Sequence, residues 1–218
     1  TALASSVRRE NLTYLSPAKL HVLEESLKHV QRARVAGDFL EFGVALGGSA
    51  IVIASQLDAT RQFHGYDVFG MIPPPGADDD ERSHRRYREI RNGKSAGIGG
   101  DVYYGYRADL YDRVRQSFER FGLNVDGERI VLHHGLFEDT FDASDTRRFA
   151  FVHIDCDWFE PVRFCLSAIC HRLSPGGLVV LDDYNDYGGC RRATDSFLEK
   201  HDRFRLIRRG PNAVLRRT

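Results

Sequence analysis

Apolar runs that end in acidic residues alternate with helix-length segments along most of this chain. The runs FAFVHI (149–154) and GGLVVL (176–181) are apolar at nearly every position, and acids follow each of them. Strands of this kind lie in parallel sheets that are covered by helices on both faces. We predict five such strands, near 37–42, 63–69, 128–135, 148–155 and 178–184, and then a hairpin of 203–209 with 213–218. This order predicts a doubly wound α/β fold with a mostly parallel sheet of about seven strands and a C-terminal antiparallel hairpin.

The chain of 218 residues is long enough for one domain, and we predict a single domain over 1–218. Residues 1–36 form an N-terminal helical region in this interpretation, with Ser16 as N-cap and Pro17 in the first turn of a helix that runs to about Ala36. Residues 70–105 lack periodicity and are rich in Pro, Gly and charge, so we interpret them as a lid insertion rather than a disordered segment. A later helix is predicted from Val162 to Leu173, and the SPGG turn (174–177) ends it.

Charge and apolar content exclude several kinds of partner. The 31 basic residues balance 31 acidic ones, so nothing in the overall charge indicates nucleic acid or an anionic membrane. No apolar run approaches the ~20 residues that a membrane span needs. We see no signal peptide, and the four cysteines form no CxxC pair. We therefore expect a cytoplasmic protein with reduced cysteines.

Acids from different strands are expected to meet at one edge of the sheet. Asp155 follows one strand, and Asp182 and Asp183 follow the next, with a crossover of strand and helix between them. Adjacent parallel strands would bring these carboxylates to the same end. Hard oxygen ligands of this type suit Mg²⁺, with Ca²⁺ or Mn²⁺ as alternatives. The competing interpretation is that the acids cap helices or pair with arginines.

Two further motifs lie on the same predicted edge. The loop GVALGGS (43–49) lets the backbone approach a ligand, although it is not the GxGxxG fingerprint and could be a tight turn only. Asp67 follows about 20 residues later, where an acid can bind ribose hydroxyls, or where it can cap a turn. Asp157 could be a general base, hold water on a metal, or cap the next helix. We interpret His133, His134 and His153 as structural.

Together these motifs resemble a known family. EFGVALGGS, YDVFG, HGLFEDTF, HIDCDWFEPV and LSPGGLVVLDDYNDYGGCRRATDSF, within residues 37–200, are similar to the macrocin O-methyltransferases, metal-dependent sugar methylases of antibiotic biosynthesis. The resemblance implies a class I methyltransferase fold, S-adenosylmethionine as cofactor and Mg²⁺ beside a sugar diol. It assigns the metal to Asp155, Asp182 and Asp183, and the catalytic proton transfer to Asp157 or Asp155. The residues that it places around the cofactor are Glu41, Gly43, Gly47, Ser49, Asp67, Gly135 and Asp155.

The resulting expectation is an S-adenosylmethionine- and Mg²⁺-dependent O-methyltransferase that acts on a hydroxyl of a natural-product sugar or similar diol. Its partner would be this small-molecule substrate, and we also expect a homo-oligomer. Three alternatives stay open at this point. They are a related cephalosporin-hydroxylase-type protein, another nucleotide-cofactor enzyme such as a dehydrogenase, and a non-catalytic binding partner that kept the fold.

Overall fold

A seven-stranded sheet forms the centre of the computed structural model, which describes residues 1–142 and 144–218. The strands are β1 (Asp38–Phe42), β2 (Phe63–Asp67), β3 (Ile130–His134), β4 (Phe149–Ile154), β5 (Leu173–Leu181), β6 (Phe204–Arg208) and β7 (Ala213–Arg217). Their order is β3-β2-β1-β4-β5-β7-β6. The first five strands are parallel, and β7 is antiparallel to both β5 and β6. The predicted fold class is confirmed, including the C-terminal hairpin.

Helices connect these strands and cover the sheet. They are α1 (Ala2–Arg9), α2 (Pro17–Arg32), α3 (Gly48–Ala54), α4 (Glu81–Arg91), α5 (Leu110–Arg120), α6 (Phe137–Thr140), α7 (Phe159–Ile169) and α8 (Gly188–Lys200). The Ser16 side chain accepts a hydrogen bond from the Lys19 backbone N–H, so the predicted N-cap of α2 is present. None of the helices within the described ranges is both long and apolar enough to cross a membrane.

Each face of the sheet has its own hydrophobic core. Successive residues of a strand point to opposite faces, so Phe39 packs in one core and Leu40 in the other. The first core joins the sheet to α1, α2, α3 and α5. The second joins it to α7 and α8. The strands that are buried on both sides are the near-continuous apolar runs of the sequence, as parallel sheets require.

The strand order reverses between β1 and β4, which opens a crevice at the carboxyl ends of the strands. Gly43 lies directly after β1, with φ of 92°, and a Cβ there would lie 1.8 Å from the Asp155 carbonyl oxygen. Only glycine permits this close approach of the two strand ends. The crevice is therefore built from the loop after β1 on one side and the Asp155 loop on the other.

Two expectations about local structure were wrong. Helix α7 ends at Ile169, and Leu173 instead begins β5, where it pairs with Phe149. The SPGG turn is thus an irregularity inside the strand, because the β4–β5 register shifts there. The 70–105 segment was expected to lack periodic structure, but it contains the helix α4. The assignments of one domain over 1–218 and of a lid over 70–105 stay predictions.

Candidate active site

Three carboxylates meet at the ends of two neighbouring strands. Ile154 and Leu181 pair in register at the ends of β4 and β5, so Asp155 and Asp182 follow at the same level. Asp155, Asp182 and Asp183 each offer an oxygen, and these oxygens all lie within 4.8 Å of one another. We call these three residues the acid cluster. The sequence predicted this convergence from the length of one crossover.

The electrostatics of the acid cluster favour a cation. Burial, followed by the charges of Asp182 and Asp183, holds the pKa of Asp155 well above its usual range. Burial and then the charges of Asp157 and Asp182 do the same for the pKa of Asp183. Crowded, desolvated carboxylates repel one another unless a positive charge compensates them. Three hard oxygen donors in a buried setting fit Mg²⁺ or a similar divalent ion.

Two side chains that the sequence did not reveal hold Asp182 in place. Lys19 donates from Nζ to Asp182 Oδ2 and to Asp186 Oδ2, each at 2.7 Å. Asn212, which is fully buried, donates from Nδ2 to Asp182 Oδ1 at 2.9 Å. Lys19 comes from α2 and Asn212 from the turn before β7. Their contacts span many positions of the chain, so no local pattern could have indicated them.

Asp157 lies beside the acid cluster and lines the same cavity. Its φ is 60°, which is uncommon for a residue other than glycine, and its backbone N–H donates to Asp183 Oδ2 at 3.2 Å. Burial, and then the charge of Asp182, raise the pKa of Asp157 to about 6. A carboxylate with such a pKa can take a proton from a bound hydroxyl near neutral pH.

Asp67 lies on the opposite side of the crevice and is well supplied with donors. Its Oδ2 accepts from the Ala45 N–H at 2.8 Å, and its Oδ1 accepts from the Phe69 N–H at 2.6 Å. Asp67 therefore fixes the loop after β1. Each oxygen keeps a second lone pair that can accept from a ligand hydroxyl.

The predicted cofactor residues do not all reach the cavity surface. Gly43, Ser49, Asp67 and Asp155 line the cavity, as do Asp157, Asp182 and Asp183. Glu41 is fully buried instead, and its Oε1 lies 2.7 Å from His153 Nδ1. Gly47 is the N-cap of α3 and packs against Val114 of α5.

Gly135 is partly exposed but does not line the cavity. Its N–H donates to the Asp67 carbonyl oxygen at 2.9 Å, which ties the end of β3 to the end of β2. The three residues that follow it, Leu136, Phe137 and Glu138, are the ones that line the cavity.

The cavity has a volume of about 680 Å³ and includes parts of the 70–105 segment. Arg82, Arg86 and Ile90 line it from α4, at the spacing of one helix face. Several aromatic side chains complete the wall. They are Tyr14, Tyr103, Tyr104, Trp158 and Tyr187. Tyr106 instead packs inside the segment, where its hydroxyl donates to the Ile90 carbonyl oxygen at 2.5 Å.

Comparison with known proteins decides the family. The sequence model of the macrocin O-methyltransferase (TylF) family matches residues 6–207. The chain is also 33% identical, over 189 residues, to 8-demethyl-8-(2,3-dimethoxy-alpha-L-rhamnosyl)-tetracenomycin-C 4'-O-methyltransferase of Streptomyces olivaceus, with 85% of this chain and 67% of that protein covered. The chain belongs to the macrocin O-methyltransferase family.

Other members and solved structures agree with this assignment. Mycinamicin III 3''-O-methyltransferase of Micromonospora griseorubida is 29% identical over 196 residues, covering 87% of this chain and 71% of that enzyme. The solved O-methyltransferase NovP superposes with a TM-score of 0.78 at 25% identity, covering 98% of this chain and 88% of NovP.

This macrocin O-methyltransferase family member is thus an O-methyltransferase with the fold of S-adenosylmethionine-dependent enzymes, as the resemblance implied. The match decides against the dehydrogenase, the hydroxylase-type protein and the non-catalytic partner.

Proposed function

We propose that the enzyme transfers a methyl group from S-adenosylmethionine to a hydroxyl of a sugar, or a similar diol, on a natural product, and that Mg²⁺ in the acid cluster is required. The observation that carries this proposal is the convergence of Asp155, Asp182 and Asp183 within 4.8 Å beside the cavity. The two relatives named above are described as methylating a rhamnosyl tetracenomycin and mycinamicin III, which supports a glycosylated acceptor.

The cofactor is proposed to lie along the side of the cavity formed by the loop after β1. Gly43 and Ser49 would leave room for its methionine part, and Asp67 would accept from the ribose hydroxyls. Leu136 and Phe137 offer an apolar wall for the adenine. Glu41 could affect the cofactor only indirectly, because it is fully buried against His153 and does not line the cavity.

In the proposed reaction the acid cluster orients the acceptor and Asp157 removes its proton. Bound Mg²⁺ would act as a Lewis acid that makes the acceptor hydroxyl more acidic. Lys19 and Asn212 keep the Asp182 carboxylate aimed at the site. Asp157 is a better proposed base than Asp155, since it lines the cavity but lies outside the cluster that would hold the cation. The aromatic wall and α4 would exclude water while the methyl group is transferred in line.

Asp182→Asn tests the metal requirement. We expect this variant to bind S-adenosylmethionine as the wild type does, but to lose Mg²⁺-dependent methyl transfer by about 100-fold or more, since metal-assisted ionisation of the acceptor is lost. Asp112→Asn, an exposed acid on α5, is the matched control. Calorimetry measures the first quantity, and transfer of labelled methyl to rhamnosylated acceptors measures the second.

Unchanged Mg²⁺-dependent activity in Asp182→Asn would remove the metal from the mechanism.

We also propose a cytoplasmic location, where S-adenosylmethionine is available, and a homo-oligomeric state. Light scattering on the purified enzyme tests the oligomeric state.

A further inference from the structure

A turn in the 70–105 segment places acids against two distant helices. The turn carries Asp78, Asp79 and Asp80 immediately before α4. Asp78 is exposed to solvent, whereas the side chain of Asp79 is buried, with 8% of the residue accessible. Asp79 does not line the cavity. A buried carboxylate outside the cavity needs donors of its own, and Asp79 has one on α7 and one within its own segment.

Asp79 caps the helix that follows the Asp155 loop. Its Oδ1 accepts from the Phe159 N–H at 2.8 Å, and its Oδ2 accepts from the Gly76 N–H at 2.9 Å. Phe159 is the first residue of α7, and the N-cap residue Trp158 supplies no side-chain cap. Asp79 therefore provides the acceptor that the helix itself lacks.

Asp80 does the same for the helix that follows the Asp182 loop. Its Oδ1 accepts from the Ser83 N–H at 2.9 Å, which caps α4, and its Oδ2 accepts from the Gly188 N–H at 3.1 Å. Gly188 is the first residue of α8, where the N-cap residue Tyr187 again supplies no side-chain cap. One turn thus caps α4, α7 and α8.

The start of α8 is shaped to receive these two acids. A Cβ on Gly188 would lie 2.6 Å from Asp80 Oδ2, and a Cβ on Gly189 would lie 2.0 Å from Asp79 Oδ1. A Cβ on Gly188 would displace the Asp80 carboxylate, and one on Gly189 would also lie 2.8 Å from the Phe159 backbone N, so Gly189 is the position that fits only glycine while the turn is docked. The Trp158 indole N–H adds a bond to the Pro73 carbonyl oxygen at 3.0 Å.

The two capped helices follow directly on the loops that carry the acid cluster. Helix α7 begins two residues after Asp157, and α8 begins five residues after Asp183. We propose that Asp79 and Asp80, which we call the acid latch, position these two loops relative to each other so that the acid cluster can bind its cation. The inference rests on the proposed metal function. Asp79 is a positioning residue, since it acts through the Phe159 N–H and does not line the cavity.

The affinity of the full-length protein for Mn²⁺ tests this proposal. We expect Asp79→Ala to weaken Mn²⁺ binding, followed by electron paramagnetic resonance, by about tenfold, the low end of the loss caused by removing outer-shell contacts, because Asp79 acts through the Phe159 N–H and not on a ligand itself. Affinity for S-adenosylmethionine without metal should stay at the wild-type value, because Gly43, Ser49 and Asp67 lie outside the latch contacts. The matched control Asp78→Ala removes the neighbouring exposed acid and should change neither affinity.

Gly189→Ala tests the same contact from the other side. Alanine is a better helix former than glycine, so the substitution favours α8 itself. The added methyl group would displace the Asp79 carboxylate, so Mn²⁺ affinity should fall here too. If Asp79→Ala does not fold, Asp79→Asn replaces it, since the amide keeps one acceptor oxygen and should give an intermediate loss. Wild-type Mn²⁺ affinity in folded Asp79→Ala and Gly189→Ala would overturn the latch.

Failure of the metal function can be told apart from failure of the latch. If the wild type binds no Mn²⁺, the proposed metal function fails, and hydrogen exchange still tests the latch. Exchange in Asp79→Ala and Asp80→Ala should become faster at Phe159 and Gly188 and also across 155–157 and 182–186. Faster exchange confined to the two capped amides would overturn the proposal, since the loops would then be held without the latch.

Discussion

Asp67 and the acid cluster are buried carboxylates on the same rim of the sheet, but their surroundings differ. Asp67 accepts hydrogen bonds from two backbone N–H groups, at 2.8 and 2.6 Å. Asp155 mainly faces other carboxylates, and its pKa is raised by burial and then by the charges of Asp182 and Asp183. Burial alone therefore does not distinguish a cation site. The crowding of like charges, which the few donors to the cluster do not offset, distinguishes it.

Because their surroundings differ, Asp67 and the acid cluster are expected to have different roles on the two sides of the crevice. Asp67 is satisfied within the protein, so it can order its loop and still accept from ligand hydroxyls. The acid cluster receives one ammonium group, from Lys19 on Asp182, for three crowded carboxylates. We infer that this side is completed by a divalent cation, whereas the Asp67 side is complete before any ligand binds.

Metal-linked stability should show the largest contrast. At a Mg²⁺ concentration 100 times the dissociation constant, we expect the free energy of unfolding to rise by about 2.7 kcal/mol. The gain should disappear in Asp155→Asn and persist in Asp67→Asn. Thermal unfolding with and without Mg²⁺ measures it. An equal gain in both variants would mean that the cation binds elsewhere.

The same substitution should have opposite effects on the metal-free protein. Asp67→Asn leaves one of two backbone N–H groups without its acceptor and should lower the free energy of unfolding by about 2 kcal/mol. Asp155→Asn removes a buried charge among like charges and should raise it. Denaturant unfolding in the presence of a chelator tests both, and a comparable loss in the two variants would contradict the distinction drawn here.

A smaller effect is expected in the pH dependence of the metal-free protein. The pKa of Asp157 is about 6 in the folded chain, above its ordinary value of 3.8. The folded state therefore binds the Asp157 proton more tightly than the unfolded state does. The resulting contribution to the free energy of unfolding is fully present below pH 4 and is lost as the pH rises toward 6. Asp157→Asn should make unfolding free energy less pH-dependent in this window. An unchanged slope would mean that Asp157 is not desolvated.

The sheet and the acid cluster could be predicted because both follow from local patterns. Apolar runs of strand length and one crossover between Asp155 and Asp182 are enough to place these acids at adjacent strand ends. The register of β4 and β5 confirms this placement. The predicted roles of Glu41, Gly47 and Gly135 stay predictions, and none of the three lines the cavity.

Features that depend on distant contacts could not be predicted. Helix α4 buries only Ser83 and Ile90, so it lacks an apolar stripe. The Asp80 cap and contacts with the loop after β5 hold it in place instead. Leu173 continues the helical spacing of the α7 segment, but it lies in β5, where it pairs with Phe149. Lys19 reaches Asp182 across 163 positions of the chain. Tertiary packing decides each of these cases, and a single sequence does not display it.

Anomalous diffraction from crystals grown with Mn²⁺ and S-adenosylhomocysteine tests the central claim most directly. Our account predicts one strong peak bound by oxygens of Asp155, Asp182 and Asp183 at about 2.0–2.3 Å, on the cavity side of the two strand ends. An acid cluster without a peak, at a Mn²⁺ concentration that supports methyl transfer, would contradict it.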